Sequence, residues 1–255
     1  MARLLARDGW HVGVLDLSRE ALVQLTVDWP RHATGTLETF HGDVADAGFV
    51  ALSVAQFAHS HGGLDLLVNN AGVAVAGSLE AMPVEDWRWI VDVNLLGVVW
   101  GCRAALPLLR RQGSGLILNI ASSAGFAAAP SMSAYNATKA AVIALSETLV
   151  GELYGSGVQV SVAMPGFFQT HLLDRLRAPP EERALAQRLM GASGHDADEA
   201  AEALLLAATA GETYIVWPPP YRMAWRLKRW FPRWFLKRVR AVRGVQLRKA
   251  DRSRG

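Results

Sequence analysis

Leu64-Asp65-Leu66-Leu67-Val68-Asn69-Asn70-Ala71-Gly72 is the stretch whose reading decides the fold. Residues 64–68 are nearly all apolar, too short for a helix and without the alternation of a half-exposed strand, so they read as a strand buried on both faces. The run stops abruptly at two asparagines. A strand buried on both faces belongs to a parallel sheet with helices on each side. Working outward, further strands are expected over 11–15, 37–40, 115–120, 158–163 and 214–217. Between them lie helical patterns over 18–27 with Ser18 as cap, 47–60, 83–112 with an interruption near Pro107, 131–154, 181–190 and 197–208. This alternation predicts an α/β fold, a doubly wound parallel sheet in three layers, α/β/α.

With 255 residues, 51% of them apolar, the chain can bury one large core. A single cysteine, Cys102, forms no internal disulfide. The absence of a signal peptide and of an apolar run of about 18 residues leads us to expect a cytoplasmic chain without a membrane span. The net charge of +3 conceals an asymmetry: residues 217–255 hold 13 of the 26 Lys and Arg and one acid, Asp251, leaving 13 bases and 22 acids in residues 1–216. We therefore divide the chain into a body, 1–217, and a basic tail, 218–255. A mildly acidic body with a basic tail suggests that the tail meets an anionic surface.

Polar residues follow the expected strands: Asp16, Asp43, Asn69, Ser122 and the pair Pro165-Gly166. In open parallel sheets the carboxyl ends of the strands form the binding crevice. Tyr135 and Lys139 are four apart on an expected helix and so share a face. An ammonium near a phenol favours the phenolate. A phenol titrating near 10 must still fall by about 2 to 3 units to act as a base near neutrality, more than one lysine on an exposed helix supplies, so a second positive charge and a dry pocket are needed.

The motifs Asn69-Asn70-Ala71-Gly72, Asn94 in a helix, Ser122 thirteen residues before Tyr135, Tyr135-x-x-x-Lys139 and Pro165-Gly166-x-x-x-Thr170 resemble, in order and spacing, those of the short-chain dehydrogenase/reductase family in its compact single-domain branch. The resemblance runs from Met1 to about Trp217 and implies a Rossmann-like fold and an NAD(P)-dependent oxidoreductase interconverting alcohols with ketones or aldehydes. It implies that Tyr135 is the acid/base, that Ser122 holds the carbonyl oxygen, with Ser123 as its rival, and that Lys139 lowers the tyrosine pKa and bonds the nicotinamide ribose. Asn94 would hold a water linking Lys139 to solvent. Oxidised nicotinamide would be the second positive charge. No metal is expected.

For the cofactor, Asp16 stands where a carboxylate meets the adenosine ribose in dinucleotide folds. With Leu17 following it, NAD is favoured over NADP, although Arg19 argues the other way. The resemblance places Asp43 and Val44 at the adenine, with Asn70, Ala71 and Gly72 shaping that side. It places Pro165, Gly166 and Thr170 at the nicotinamide carboxamide. One departure concerns the front: the family's first strand and glycine-rich loop would precede a helix ending near Ala6-Arg7-Asp8-Gly9, and this sequence starts inside that helix. The expectation is a sheet lacking its first, central strand, with two unpaired edges facing each other. It carries with it the expectation of a lost or mis-assigned upstream segment.

Residues 166–195 occupy the family's variable substrate segment, where Phe167, Phe168, Leu172, Leu173, Leu176 and Met190 would suit a small hydrophobic alcohol or ketone, or serve as packing. In the tail, Leu227, Trp230, Phe231, Trp234, Phe235 and Val239 recur at helical spacing among arginines and lysines, with Pro232 dividing two short helices. Such a pattern suits an anionic membrane surface, and equally a helix docked on its own body or on a second subunit. Nucleic acid is not expected as a partner, because no recognition module accompanies the charge. A homodimer or homotetramer through the two long helices is implied by the resemblance. The rival reading is a catalytically silent scaffold of the same fold, binding a ligand or attached to a membrane.

Overall fold

The computed structural model describes residues 1–241. In chain order the elements are α1 (Ala2–Arg7), β1 (Val12–Asp16), α2 (Arg19–Val27), β2 (Leu37–His41), α3 (Ala47–His61), β3 (Leu66–Asn69), α4 (Val84–Val91) and α5 (Gly97–Gln112). They continue with β4 (Gly115–Ile120), α6 (Ala124–Ala127), α7 (Ser133–Glu152), β5 (Val158–Pro165), α8 (Pro180–Gly191), α9 (Ala197–Thr209), β6 (Tyr214–Trp217) and α10 (Pro219–Trp230).

Successive side chains of a strand point to opposite faces, and here both faces meet helices. Leu116 and Leu118 of β4 pack with Leu204, Leu205 and Ala208 of α9, whereas Ile117 between them joins Cys102 and Ala105 of α5 and Val142 of α7. Coverage of both faces accounts for the nearly continuous apolar run of β4 and for the enclosure of β5 at every position but Gln159, and the three expected layers are present.

All strand pairings are parallel, but they form two sheets: β1-β2, and β3-β4-β5-β6. As expected, the edges of β1 and β3 face each other without a strand between them among the described residues. A cleft of about 530 Å³ separates them, lined by β1 from Val12 to Asp16 and by β3 from Leu66 to Asn69. Asp16, Asn69, Ile120 and Pro165, each the last residue of its strand, all line this cleft.

The interruption expected near Pro107 lies instead at Asp92–Leu96, a π-helical turn between α4 and α5. Pro107 is on the exposed side of α5, where the carbonyl it leaves without a donor, that of Arg103, can meet water. Val84–Gln112 is long and apolar enough by length and composition to cross a membrane, 18 of its residues reaching a mean hydropathy of 1.4. Inside this fold it is a wall of the core, with Ile90, Ala105 and Leu109 fully buried.

Pro232 does divide the tail: α10 ends at Trp230 and residues 232–241 are helical again. The apolar stripe read from the sequence is split between two environments. Leu227 and Val239 pack against the main core and Phe235 is buried within it at 8% exposure, a burial worth about 2 kcal/mol for such a ring. Trp230, Phe231 and Trp234 face solvent. The remainder of the expected tail, 242–255, lies outside the described residues.

Candidate active site

Ser122 follows β4, and Tyr135 and Lys139 sit one turn apart on the first half of α7. Both α7 side chains are enclosed, Tyr135 at 7% and Lys139 at 4% exposure. Burial disfavours the charged form of each group. The Tyr135 phenol is accordingly pushed above its usual range by desolvation, and a hydrogen bond with Ser122 draws it partly back. The Lys139 ammonium is lowered by desolvation from 10.5 to about 8.

Lys139 Nζ lies 5.9 Å from the centroid of the Tyr135 ring and donates a 2.8 Å hydrogen bond to the carbonyl of Ile120, the last residue of β4. The amine thus turns neither into bulk water nor onto the phenol. Ser122 rather than Ser123 meets the phenol: the Ser123 amide donates to the Pro165 carbonyl at 2.8 Å, joining the ends of β4 and β5.

Asn94 is at the centre of the π-helical turn and wholly buried. A π turn holds one residue more than an α turn and is a recurrent device for presenting a side chain. Here Asn94 Oδ1 accepts from the Val73 amide at 2.8 Å and Nδ2 donates to the Val73 carbonyl at 2.9 Å. Both polar groups of one loop residue are satisfied by one side chain, which staples the segment after β3 to the helix. Gly72 lies against the same group: a methyl in place of its hydrogen would stand 3.4 Å from Asn94 Oδ1 and 3.6 Å from Lys139 Nζ.

Of the residues expected to meet a dinucleotide, Asp16, Val44, Asn70, Ala71, Pro165 and Thr170 line the cleft between the two sheets, together with Ile120 and Phe168. Asp43, Gly72, Gly166, Ser122, Tyr135 and Lys139 stand behind or beyond its lining. Ile120 connects the two sets, lining the cleft with its own atoms and accepting from Lys139 with its carbonyl. Asp16 ends β1 exposed and accepts from the Ser18 amide at 2.7 Å, and Asp43 accepts from the Ala45 amide at 2.9 Å. Val44 packs on Gly97 of α5, where an added methyl would stand 3.0 Å from the Val44 side chain. Arg19, the residue that would favour a phosphate, lies 3.3 Å from His41 Nδ1.

The residues present fit what a dinucleotide needs at its two ends: an exposed carboxylate, Asp16, at one end of the cleft, and a half-buried Ser122 hydroxyl on a buried Tyr135 phenol near the other. The cleft is also lined by Met1 and by Ala2 and Leu5 of α1, and no glycine-rich turn borders it among the described residues.

Two contributions were not read from the sequence. Tyr221 on α10 packs its ring on Gly166, leaving no space for a side chain there, and its hydroxyl accepts from the Phe167 amide at 3.4 Å. Its one sequence signal, a tyrosine just after three prolines, is too common to single it out. Below the site, Asn69 Nδ2 donates to Asn119 Oδ1 at 2.8 Å and Asn119 Nδ2 to Ser146 Oγ at 3.0 Å. The network ties β3, β4 and α7 together, and Cys102, whose thiol burial pushes up to about 11, packs into it. In the substrate segment, Leu176 and Met190 are buried and serve as packing, while Phe168, Leu172 and Leu173 stay partly open.

Residues 1–181 match the family model for short chain dehydrogenases. The 2-(R)-hydroxypropyl-CoM dehydrogenase of Xanthobacter autotrophicus is 36% identical over 218 residues, covering 84% of this chain and 86% of that protein. The 3-oxoacyl-(acyl-carrier-protein) reductase FabG of Thermotoga maritima is 31% identical over 212 residues, 83% of this chain and 85% of that one. A crystal structure of a short chain dehydrogenase/reductase from Burkholderia phymatum in complex with NAD superposes with a TM-score of 0.83 at 30% identity, covering 89% of this chain and 87% of that chain.

Proposed function

The chain belongs to the short-chain dehydrogenase/reductase family, an oxidoreductase family acting on CH–OH groups, and from that membership we propose that it interconverts a small hydrophobic alcohol and its ketone or aldehyde with Tyr135 as acid/base. The observation that carries this is the contact of the Ser122 hydroxyl with a buried phenol one helical turn from a buried amine.

NAD, when bound, supplies the hydride acceptor, or the donor in its reduced form. Tyr135 takes the hydroxyl proton as the alcohol is oxidised and returns it to the carbonyl oxygen in the reverse direction. Ser122 donates to that oxygen, stabilising the charge that gathers on it. Lys139 adds positive potential beside the phenol and holds the nicotinamide ribose. Asn94 steadies the loop after β3 and, through a water, links Lys139 to solvent.

At the far end Asp16 takes the adenosine ribose. Its carboxylate repels a 2′-phosphate, and Arg19 is engaged at His41, so NAD is preferred and NADP is the weaker cofactor. Asp43, Val44, Asn70, Ala71 and Gly72 hold the adenine side. Pro165, Gly166 and Thr170 hold the carboxamide, with Tyr221 fixing their loop. The two named relatives act on unlike molecules, so they do not name this substrate; the partly open Phe168, Leu172 and Leu173 support an apolar one.

We assign residues 1–217 to the catalytic unit and residues 218–255 to a basic segment by which a cytoplasmic enzyme attaches peripherally to an anionic membrane surface. The unit pairs as a homodimer or homotetramer through α5 and α7, where Val150 and, just beyond the helix, Tyr154 are exposed.

The test follows nicotinamide reduction when the full chain meets NAD and a panel of hydrophobic secondary alcohols. Tyr135→Phe should lower turnover by about a thousandfold and leave NAD affinity within about twofold, because it removes only the proton-transferring hydroxyl. Wild-type rates in that variant would overturn the assignment.

A further inference from the structure

The C-terminal corner carries an interaction surface that the tail's charge alone does not describe. The inner side of this segment is committed to the body: Tyr221, Trp225, Leu227 and Val239 pack on the core and Phe235 is buried in it. The outer side is left with large apolar side chains, Met223 at 68% exposure, Trp230 at 79%, Phe231 at 59% and Trp234 at 50%. Trp230 and Phe231 are consecutive at the break between the two helices, and Trp234 follows within one turn of Phe231, so the three rings share one corner. Exposed arginines and lysines flank them at 226, 229, 233 and 237, and the sequence has no acid from 213 to 250.

We propose that this corner inserts into an anionic lipid bilayer, with Trp230, Phe231 and Trp234 entering the headgroup region while Arg226, Arg233 and Lys237 meet lipid phosphates and carboxylates. The proposal rests on the reading of the basic segment as a membrane attachment and adds which side faces the lipid and that apolar insertion contributes to it. Three features select this occupant. Indole rings combine a large apolar body with one donor and settle where hydrocarbon meets water. The cations around them are drawn to an anionic leaflet. A second copy seated on the same corner through a two-fold axis would oppose like charges, which disfavours it.

The docked inner face also fixes the orientation. Trp225 and Phe235 hold the helices against the core, so the corner is presented without the ordering cost that a free amphipathic peptide meets on binding. The stripe of the sequence, read as one membrane face, is thus two half-faces with different partners.

Co-sedimentation of the full chain with phosphatidylcholine vesicles, with and without phosphatidylserine, tests this alongside two multiple variants. The aromatic variant is Trp230→Ser with Trp234→Ser; the charge variant is Arg226→Gln, Arg233→Gln and Lys237→Gln. All five side chains are exposed, and unchanged thermal unfolding verifies the fold.

The expected result is binding to phosphatidylserine vesicles, weakened at least about tenfold in the aromatic variant and about a hundredfold in the charge variant. Vesicles of acyl-chain-brominated lipid should quench tryptophan fluorescence of the wild type and less so of the aromatic variant. If only the charge variant weakens, attachment stands and the inserted corner is overturned. If the wild type fails to bind these vesicles, the attachment reading falls and the corner with it. A dimer that disappears in the aromatic variant, with no vesicle binding, would assign the corner to a second copy and overturn the proposal.

Discussion

The four-stranded and the two-stranded sheet carry opposite halves of the site, and they differ in how they hold it. β4 and β5 are almost entirely enclosed, whereas in β1 and β2 only Val12 is buried. The proposed reacting half hangs from the enclosed sheet: Ser122 after β4, Lys139 on the Ile120 carbonyl, and Asn94 locked onto Val73. The proposed ribose half hangs from the exposed sheet, where among the described residues the Asp16 carboxylate accepts one hydrogen bond, from the Ser18 amide. Proton transfer needs groups that are dry and fixed, because only there are charge and position controlled together. Recognition of a ribose needs only a carboxylate presented at the end of a strand.

That difference can be broken by experiment. Asn94→Ala leaves the Val73 amide and carbonyl buried without partners and should lower the unfolding free energy by about 3 kcal/mol, read from urea midpoints; a loss no larger than that of a surface substitution would erase the contrast between the halves. Asp16→Ala removes one exposed hydrogen bond and should change stability by no more than about 0.5 kcal/mol, while weakening NAD binding about tenfold and narrowing the preference over NADP. An Asp16 variant that unfolds as readily as the Asn94 variant would show the exposed sheet to be as tightly held as the enclosed one.

A third measurement sharpens the comparison through pH. The folded-state pKa of Lys139, about 8, lies below its unfolded value of 10.5. Between those values the unfolded chain binds the extra proton, so the residue's contribution to stability rises with pH across that window and is least below it. Wild type should therefore gain on Lys139→Met by about 2 kcal/mol between about pH 8 and about pH 10. A constant difference would mean that the amine is solvated rather than enclosed.

Much of this fold was legible because parallel sheets announce themselves locally. Both faces of β4 are covered, so its sequence is apolar apart from the hydrogen-bonded Asn119, and Ser18 and Gly9 mark helix ends by their own chemistry. The break in the long helix was misplaced at Pro107 because a proline is a visible signal. The π turn at Asp92–Leu96 has no comparable mark, being stabilised by what Asn94 finds across the loop. The tail was half legible for a related reason: helical spacing says which residues share a face, but not which part of that face is covered.

By itself the sequence determined the parallel α/β alternation, the shared face of Tyr135 and Lys139, the serine at the strand end and the concentration of positive charge after residue 217. These follow from period, spacing and composition, which act within a few turns of chain. The tertiary structure decided where the Lys139 amine points, that Asn94 pairs with Val73, that Tyr221 closes over Gly166, and which tail aromatics enter the core. The first three join residues 19, 21 and 55 positions apart, and Phe235 meets a core that begins at Leu64; such contacts are chosen by packing that pattern and propensity along the chain do not encode.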